Sequence, residues 1–254
     1  MAEPKVWDDA QPFYFEGNST GVLVIHGFTG CTQSLLPYGE ALAARGYTVL
    51  GPRLPGHGTT VEDMASRKYT EWTGEGERAL QELSGRCDRV FVTGLSMGGT
   101  LTLYLAANFG DKIAGIIPVN ALALTEPLLR LTPILKYLLK TRPGVGSDIK
   151  KPEGKELCYD KVPVPAAYEL TRLLKMTREG LPRVSVPALV ITSREDHVVQ
   201  EPANAEYIMA NLGSKDKELL WLENSYHVAT LDNDAELIFE QAAEFIEKHS
   251  VPVG

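Results

Sequence analysis

The chain has 254 residues, 44% of them hydrophobic and 23% charged, with a formal net charge of −8. That length holds one large α/β domain around a well-buried core, and the composition is that of an ordinary globular protein. The acidic balance argues against nucleic-acid binding, which needs a basic footprint, and no lysine or arginine block offers an electrostatic membrane anchor.

In chain order, the opening MAEPKVWDDAQPFYFEG lacks an apolar core of signal-peptide length, and its PFYFEG is expected to add an antiparallel edge strand or hairpin. Strands are predicted at 21–26 (GVLVIH), 47–52, 89–94 (RVFVTG), 113–119, 187–193 and 217–223. Helical patterns fall between and after them, over 35–45, 71–83, 97–108, 202–212 and 234–248. Most of the strands are nearly continuous in apolar residues, as strands covered on both faces are. The alternation predicts an α/β fold with a mostly parallel sheet flanked by helices. No run reaches the ~18 apolar residues of a membrane span.

The interval 121–183 breaks the rhythm and holds no convincing strand. It reads as a helical lid inserted before the strand at 187–193, so that 1–120 and 184–254 form the core. Within ALALTEPLLRLTPILKYLLK, Leu124, Leu128, Leu131, Leu135 and Leu138 recur at helical spacing, with Pro127 and Pro133 splitting or kinking the helix. Such a stripe serves either core packing or an acyl pocket, and periodicity does not separate the two. Cys31, Cys87 and Cys158 form no CxxC or metal pattern, so free thiols in a reducing cytoplasm are expected. Cys87 and Cys158 read as small core residues, and Cys31 as a thiol open to reagents.

The stretch VTGLSMGGT, residues 92–100, follows the apolar RVFV and precedes the apolar LTLYLA. A phosphate-binding loop would need Lys-Ser or Lys-Thr after the last glycine, and Thr100-Leu101 stands there instead. Gly-x-Ser-x-Gly between a strand and a helix instead fits a sharp turn that exposes Ser96 as a nucleophile. A serine hydroxyl needs a base to take its proton. Of the five histidines, His227 follows the last predicted strand, and sites in open α/β sheets form beyond the carboxyl ends of strands. His26 and His57 sit in glycine-rich turns, His197 follows an acid, and His249 is expected in solvent. Asp196 is preferred over the adjacent Glu195 as the acid that holds the imidazole. The order Ser96, Asp196, His227 is that of α/β-hydrolases. The oxyanion donors are then the N–H groups of Met97, after the nucleophile, and Phe28, in the loop HGFTG.

HGFTG, RLPGHGT, GLSMGGTLTLYLA, EDHVV and NSYHVATLD together resemble the α/β-hydrolase superfamily, and within it the small bacterial carboxylesterases and monoacylglycerol lipases. The likeness runs from about Gly21 to the C-terminal helix and includes GSDIKKPEGKELCYDK. The resemblance implies a Ser96/Asp196/His227 triad, an oxyanion hole at Phe28 and Met97, and a small lid over a hydrophobic acyl tunnel; in the acyl-pocket reading of the stripe, Leu124, Leu128 and Leu131 line it. It also implies that Glu156 recognises glycerol hydroxyls, against the plainer reading of a solvated or lysine-paired carboxylate. The chain departs from the family most in LALTEPLLRLTPILKYLL, which bears on chain-length preference.

A serine carboxylic-ester hydrolase is therefore expected, acting on monoacylglycerols or similar esters through an acyl-enzyme, with no cofactor and no metal. Its partner is a small-molecule ester, with transient lipid-surface contact through the lid and no stable membrane insertion. Monomer and lid-paired dimer stand equal. A short-chain carboxylesterase, phthalate esters included, is the alternative. So are a receptor-like binder with weak turnover, a carbon–carbon bond hydrolase, a thioesterase and a perhydrolase. A dehalogenase is expected to carry aspartate where Ser96 stands.

Overall fold

The computed structural model describes residues 4–125, 127 and 129–250. Nine strands are present among them: β1 (Phe13–Phe15), β2 (Thr20–Ile25), β3 (Thr48–Gly51), β4 (Arg89–Leu95), β5 (Gly115–Val119), β6 (Thr141–Pro143), β7 (Lys161–Pro163), β8 (Ala188–Ser193) and β9 (Lys217–Leu222). The helices are α1 (Leu36–Ala44), α2 (Val61–Ser66), α3 (Tyr69–Ser84), α4 (Met97–Phe109), α5 (Thr132–Leu135), α6 (Val164–Gly180), α7 (Ala203–Asn211) and α8 (Ala235–Ser250).

Seven strands form one sheet in the order β1-β3-β2-β4-β5-β8-β9. β1 pairs antiparallel with β3, as the PFYFEG edge predicts, and the other pairings are parallel. The core strands are buried on both faces and alternate between two cores. Leu23, Ile25, Val90 and Val92 pack with side chains of α3, α4 and α6. Val22, Val24 and Phe91 pack on the opposite face with α1 and α8. Covering both faces is what lets a parallel sheet of continuous apolar strands exist in water. The chain leaves β2 to one side for β3 and returns to the other side for β4, so the sheet reverses direction beside β4. Crevices at such reversals open at the carboxyl ends of the strands. Those ends are level: Ile25 pairs with Gly94, Leu95 with Val119, Val119 with Ile191 and Ser193 with Leu222.

The insertion between β5 and β8 differs from the expected run of helix. β6 and β7 form a two-stranded antiparallel sheet with Arg142 opposite Val162. Each strand has three residues and includes a proline, too short for alternation to show in sequence. The leucine stripe does not form one helix either; it breaks into a 3-10 turn at Leu129–Leu131 and the single turn of α5. α6 turns Leu170, Leu173 and Leu174 into the same core as Leu101 and Leu105 of α4. Against expectation Cys31 is buried and Cys158 is half-exposed, while Cys87 is half-buried and packs against the first core. His249 is not free in solvent, since its ring lies 4.5 Å from that of Phe245.

Phe91 is fully buried and meets Phe245 edge-on across the second core, with centroids 6.3 Å apart. Replacing it with alanine is expected to destabilise the fold by about 3–5 kcal/mol, read from the urea midpoint at constant m-value. A loss below about 1 kcal/mol would contradict a tightly packed second layer.

Candidate active site

β4 runs into α4 through Ser96, which holds φ 57° and ψ −118°, a strained conformation for a residue with a side chain. Glycine makes the turn possible. A Cβ on Gly94 would lie 2.7 Å from the Ile25 carbonyl oxygen, and one on Gly98 would run into that same carbonyl. Without side chains there, the first turn of α4 seats directly against the end of β2. The Ser96 N–H donates to the Val119 carbonyl at 2.9 Å, which fixes the turn to β5.

Loops beyond β8 and β9 bring two further side chains to this point. Ser96 Oγ–H donates to His227 Nε2 at 2.8 Å, and His227 Nδ1–H donates to Asp196 Oδ2 at 2.7 Å. The other Asp196 oxygen accepts the N–H groups of Val198 and Val199 at 2.7 and 2.8 Å. Glu195 points elsewhere and pairs with Lys150 at 2.7 Å. This arrangement can draw a proton from Ser96 while Asp196 stabilises the resulting imidazolium.

Three buried or half-buried polar residues that sequence reasoning did not single out hold the histidine loop. Asn120, at the end of β5 with φ 44°, is fully buried. Its Nδ2 donates to the His227 carbonyl at 2.7 Å and to Ser193 Oγ at 3.1 Å, and its Oδ1 accepts the Ser193 N–H at 2.7 Å. Asp148, from the insertion, accepts the His227 N–H at 3.1 Å and binds His197 Nδ1 at 2.8 Å. Asp232 accepts N–H groups from Lys150, Lys151, Tyr226 and Asn233 at 2.7–2.8 Å. The one available sequence signal was Asn120 standing directly after a predicted strand.

The loop after β2 faces the same serine: a Cβ on Gly27 would sit 3.3 Å from Ser96 Cβ. Buried His26 shapes it, donating from Nδ1 to the Gly27 carbonyl at 2.9 Å and accepting the Leu54 N–H at Nε2 at 3.0 Å. Burial drops the His26 pKa to about 4, opposed by that Gly27 bond and aided by the charge of Arg53. Phe28 lines the cavity, Thr29 follows with φ 66°, and Met97 opens α4 where helix N–H groups lack internal partners. His57 is buried against His26, Phe28 and Trp72.

Ser96 and His227 open into a cavity of about 250 Å³. Leu122, Leu129, Val162 and Leu170 supply its apolar wall, with Glu156, Arg142 and His197 as polar lining. The expected leucines fare differently. Leu124 lines a separate depression with Arg178 and Tyr207, and Leu131 is 52% exposed. Both are displaced because the stripe breaks at the 3-10 turn, which turns Leu129 inward instead. Leu128 lies outside the described residues. Glu156 does reach the cavity; a Cβ on Gly30 would strike its Oε1. Burial lifts its pKa to about 7, with the His227 charge and hydrogen bonds to Cys158 and Ser34 pulling the other way.

Burial by itself raises the Asp196 pKa, but the His227 charge and three hydrogen bonds outweigh it and leave the carboxyl lowered. Burial by itself lowers His227, but Asp196, Glu156 and Asp148 together leave its pKa raised above 6.5. The imidazole must be neutral to accept the Ser96 proton, so raising its pKa moves loss of activity to higher pH. The acid limb of kcat/KM is therefore expected to have its midpoint above 6.5. Glu156→Gln removes one of the attracting charges and is expected to move that midpoint down; an unmoved or higher midpoint would contradict the coupling. Asn120→Ala frees the His227 carbonyl and is expected to lower kcat about tenfold or more at nearly constant KM. A rise in KM at constant kcat would place Asn120 outside the positioning of His227.

A family model described as Hydrolase_4: Serine aminopeptidase, S33 matches residues 18–234. The chain is 46% identical over 249 residues to a thermostable monoacylglycerol lipase of Bacillus sp. (strain H-257), covering 96% of this chain and 97% of that one. It is 29% identical over 240 residues to a carboxylesterase of Bacillus subtilis (strain 168), covering 94% and 96%. A solved structure from work on two metagenome-derived lipolytic enzymes, LipS and LipT, superposes with a TM-score of 0.94 at 50% identity, over 96% of this chain and all of that one. With its parallel sheet and level strand ends, the chain belongs to the Hydrolase_4 family and has the α/β-hydrolase fold.

Proposed function

We propose that the chain hydrolyses carboxylic esters, monoacylglycerols foremost, with Ser96 as nucleophile, His227 as general base and acid, and Asp196 as the group that orients His227. The observation that carries this reading is the hydrogen-bonded series Ser96–His227–Asp196 at the floor of a largely apolar cavity. The lipase and carboxylesterase relatives support it.

His227 takes the hydroxyl proton as Ser96 Oγ attacks the ester carbonyl. The N–H groups of Phe28 and Met97 receive the oxyanion, each worth about 3 kcal/mol in the transition state. His227 then protonates the leaving alcohol, and water repeats the sequence on the acyl-enzyme to release the acid. Nothing in these steps calls for a metal or a cofactor. Glu156, with a pKa about 7, presents a group able to accept from and, when protonated, donate to the hydroxyls of a glyceryl alcohol.

The insertion 121–183 acts as a cap, and its apolar wall takes the acyl chain at about 0.8 kcal/mol per buried methylene. Ile134, Tyr137 and Leu138 project from it into solvent, 66%, 80% and 72% exposed, and suit transient contact with a lipid surface. No described helix is long and apolar enough to cross a membrane. Three unpaired thiols support a reducing, cytoplasmic setting.

The test is initial rates on chain-length series of p-nitrophenyl esters and 1-monoacylglycerols, for wild type, Ser96→Ala and Glu156→Ala. Ser96→Ala is expected to lower turnover about 10⁴-fold or more with the fold intact. Glu156→Ala is expected to lower monoacylglycerol hydrolysis about tenfold more than p-nitrophenyl ester hydrolysis. Equal losses would remove the glycerol role. Activity confined to short esters would leave a general carboxylesterase, phthalate esters among its substrates. A folded protein inert to both series would favour the receptor-like or carbon–carbon hydrolase readings.

A further inference from the structure

One side chain in the catalytic cavity is unexplained by the hydrolysis of a neutral ester. Arg142 lines that cavity and is the one lysine or arginine among its lining residues. Its Nε is buried with no hydrogen-bond partner, and among the described residues no carboxylate forms an ion pair with it. Glu156, the one carboxylate lining the cavity, is turned toward Gly30 and is bound by Cys158 and Ser34 instead.

Arg142 sits on the apolar side of the cavity. It lies opposite Val162 across β6 and β7, and Val162 shares the cavity wall with Leu129 and Leu170. Arg142 is half-buried, and a buried Nε donor left unpaired costs the fold stability that a partner would restore. The geometry of its donors matches a carboxylate in a two-point, charge-assisted contact.

We propose that Arg142 forms a subsite for an anionic group carried on the acyl part of the ester, so that monoesters of dicarboxylic acids are substrates alongside neutral acyl esters. This rests on the ester-hydrolase reading and adds a second acyl specificity to it. The aliphatic wall takes the methylenes, and Arg142 takes the far carboxylate. Glu156, which the proposed function puts on the alcohol side, disfavours an anion there when it is ionised.

The experiment compares kcat/KM for matched p-nitrophenyl esters, one of a dicarboxylic acid and one of a monocarboxylic acid of equal chain length, over several lengths at pH 8. The ratio of anionic to neutral ester is the readout, so a general loss of activity in a variant cancels. Arg142→Met is expected to lower that ratio about tenfold or more, and Arg142→Lys, which keeps the charge but not the two-point contact, to lower it less. In wild type, added salt is expected to lower the ratio as the ion pair is screened. This arm stands even where a variant folds poorly. A ratio indifferent to both Arg142→Met and salt would overturn the subsite. So would an effect of Arg142→Met confined to 1-acylglycerol 3-phosphate, whose anion lies on the alcohol side. Failure of the neutral ester to turn over in wild type would instead sink the parent reading.

Discussion

The site depends on one steric constraint: the backbone of α4 at Gly98 rests on the Ile25 carbonyl with no room for a side chain. That contact draws the helix N-terminus against the end of β2 and leaves Ser96 no relaxed conformation. Strain of this kind persists only where the surroundings over-determine it. Here the surroundings are two fully packed layers, one on each face of the sheet. The core is what holds the Ser96 hydroxyl in an unfavourable turn.

The second requirement is that loops from distant parts of the chain meet at that turn. Parallel strands with level ends bring them close, but closeness alone does not set a hydrogen bond to a few tenths of an ångström. Asn120 ties β5, β8 and the His227 loop into one polar junction, with both ends of its amide engaged. Asp148 and Asp232 tie the insertion to the same loop by saturating backbone N–H groups. The insertion is thus pinned at 148–151, next to the base, while its leucine-bearing turn near α5 stands out in solvent. The part of it nearest His227 belongs mechanically to the framework around that side chain.

What could be read from the sequence follows from what is local. The strands that build the sheet are short runs of apolar residues, and the elbow is a five-residue pattern between a strand and a helix. That Ser96, Asp196 and His227 would meet was legible because topology places each after a strand, in a recognisable order. The small sheet of β6 and β7 was not, since three residues with a proline leave no period to detect. The leucine stripe misled for a related reason. Its spacing is helical, but Pro127 and Pro133 break the segment, so Leu129 turns inward and Leu131 outward. Asn120, Asp148 and Asp232 act through bonds to residues 49 to 107 positions away or within one loop, and their roles appear only in three dimensions. Cys31 was misplaced because nearness to the site was taken for access, whereas the thiol is buried and reaches the Leu157 carbonyl of the insertion.

His26 carries one further implication. Its ring is satisfied only as the neutral form: Nδ1 gives its proton to Gly27, and Nε2 must stay bare to accept from Leu54. With a folded pKa of about 4 against 6.5 in the unfolded chain, the folded loop refuses a proton that the unfolded chain takes up. Stability that this residue confers above pH 6.5 therefore drains away as the solution is acidified toward 4. Protein that stays folded in that window keeps His26 neutral, and with it the two bonds that shape the loop after β2.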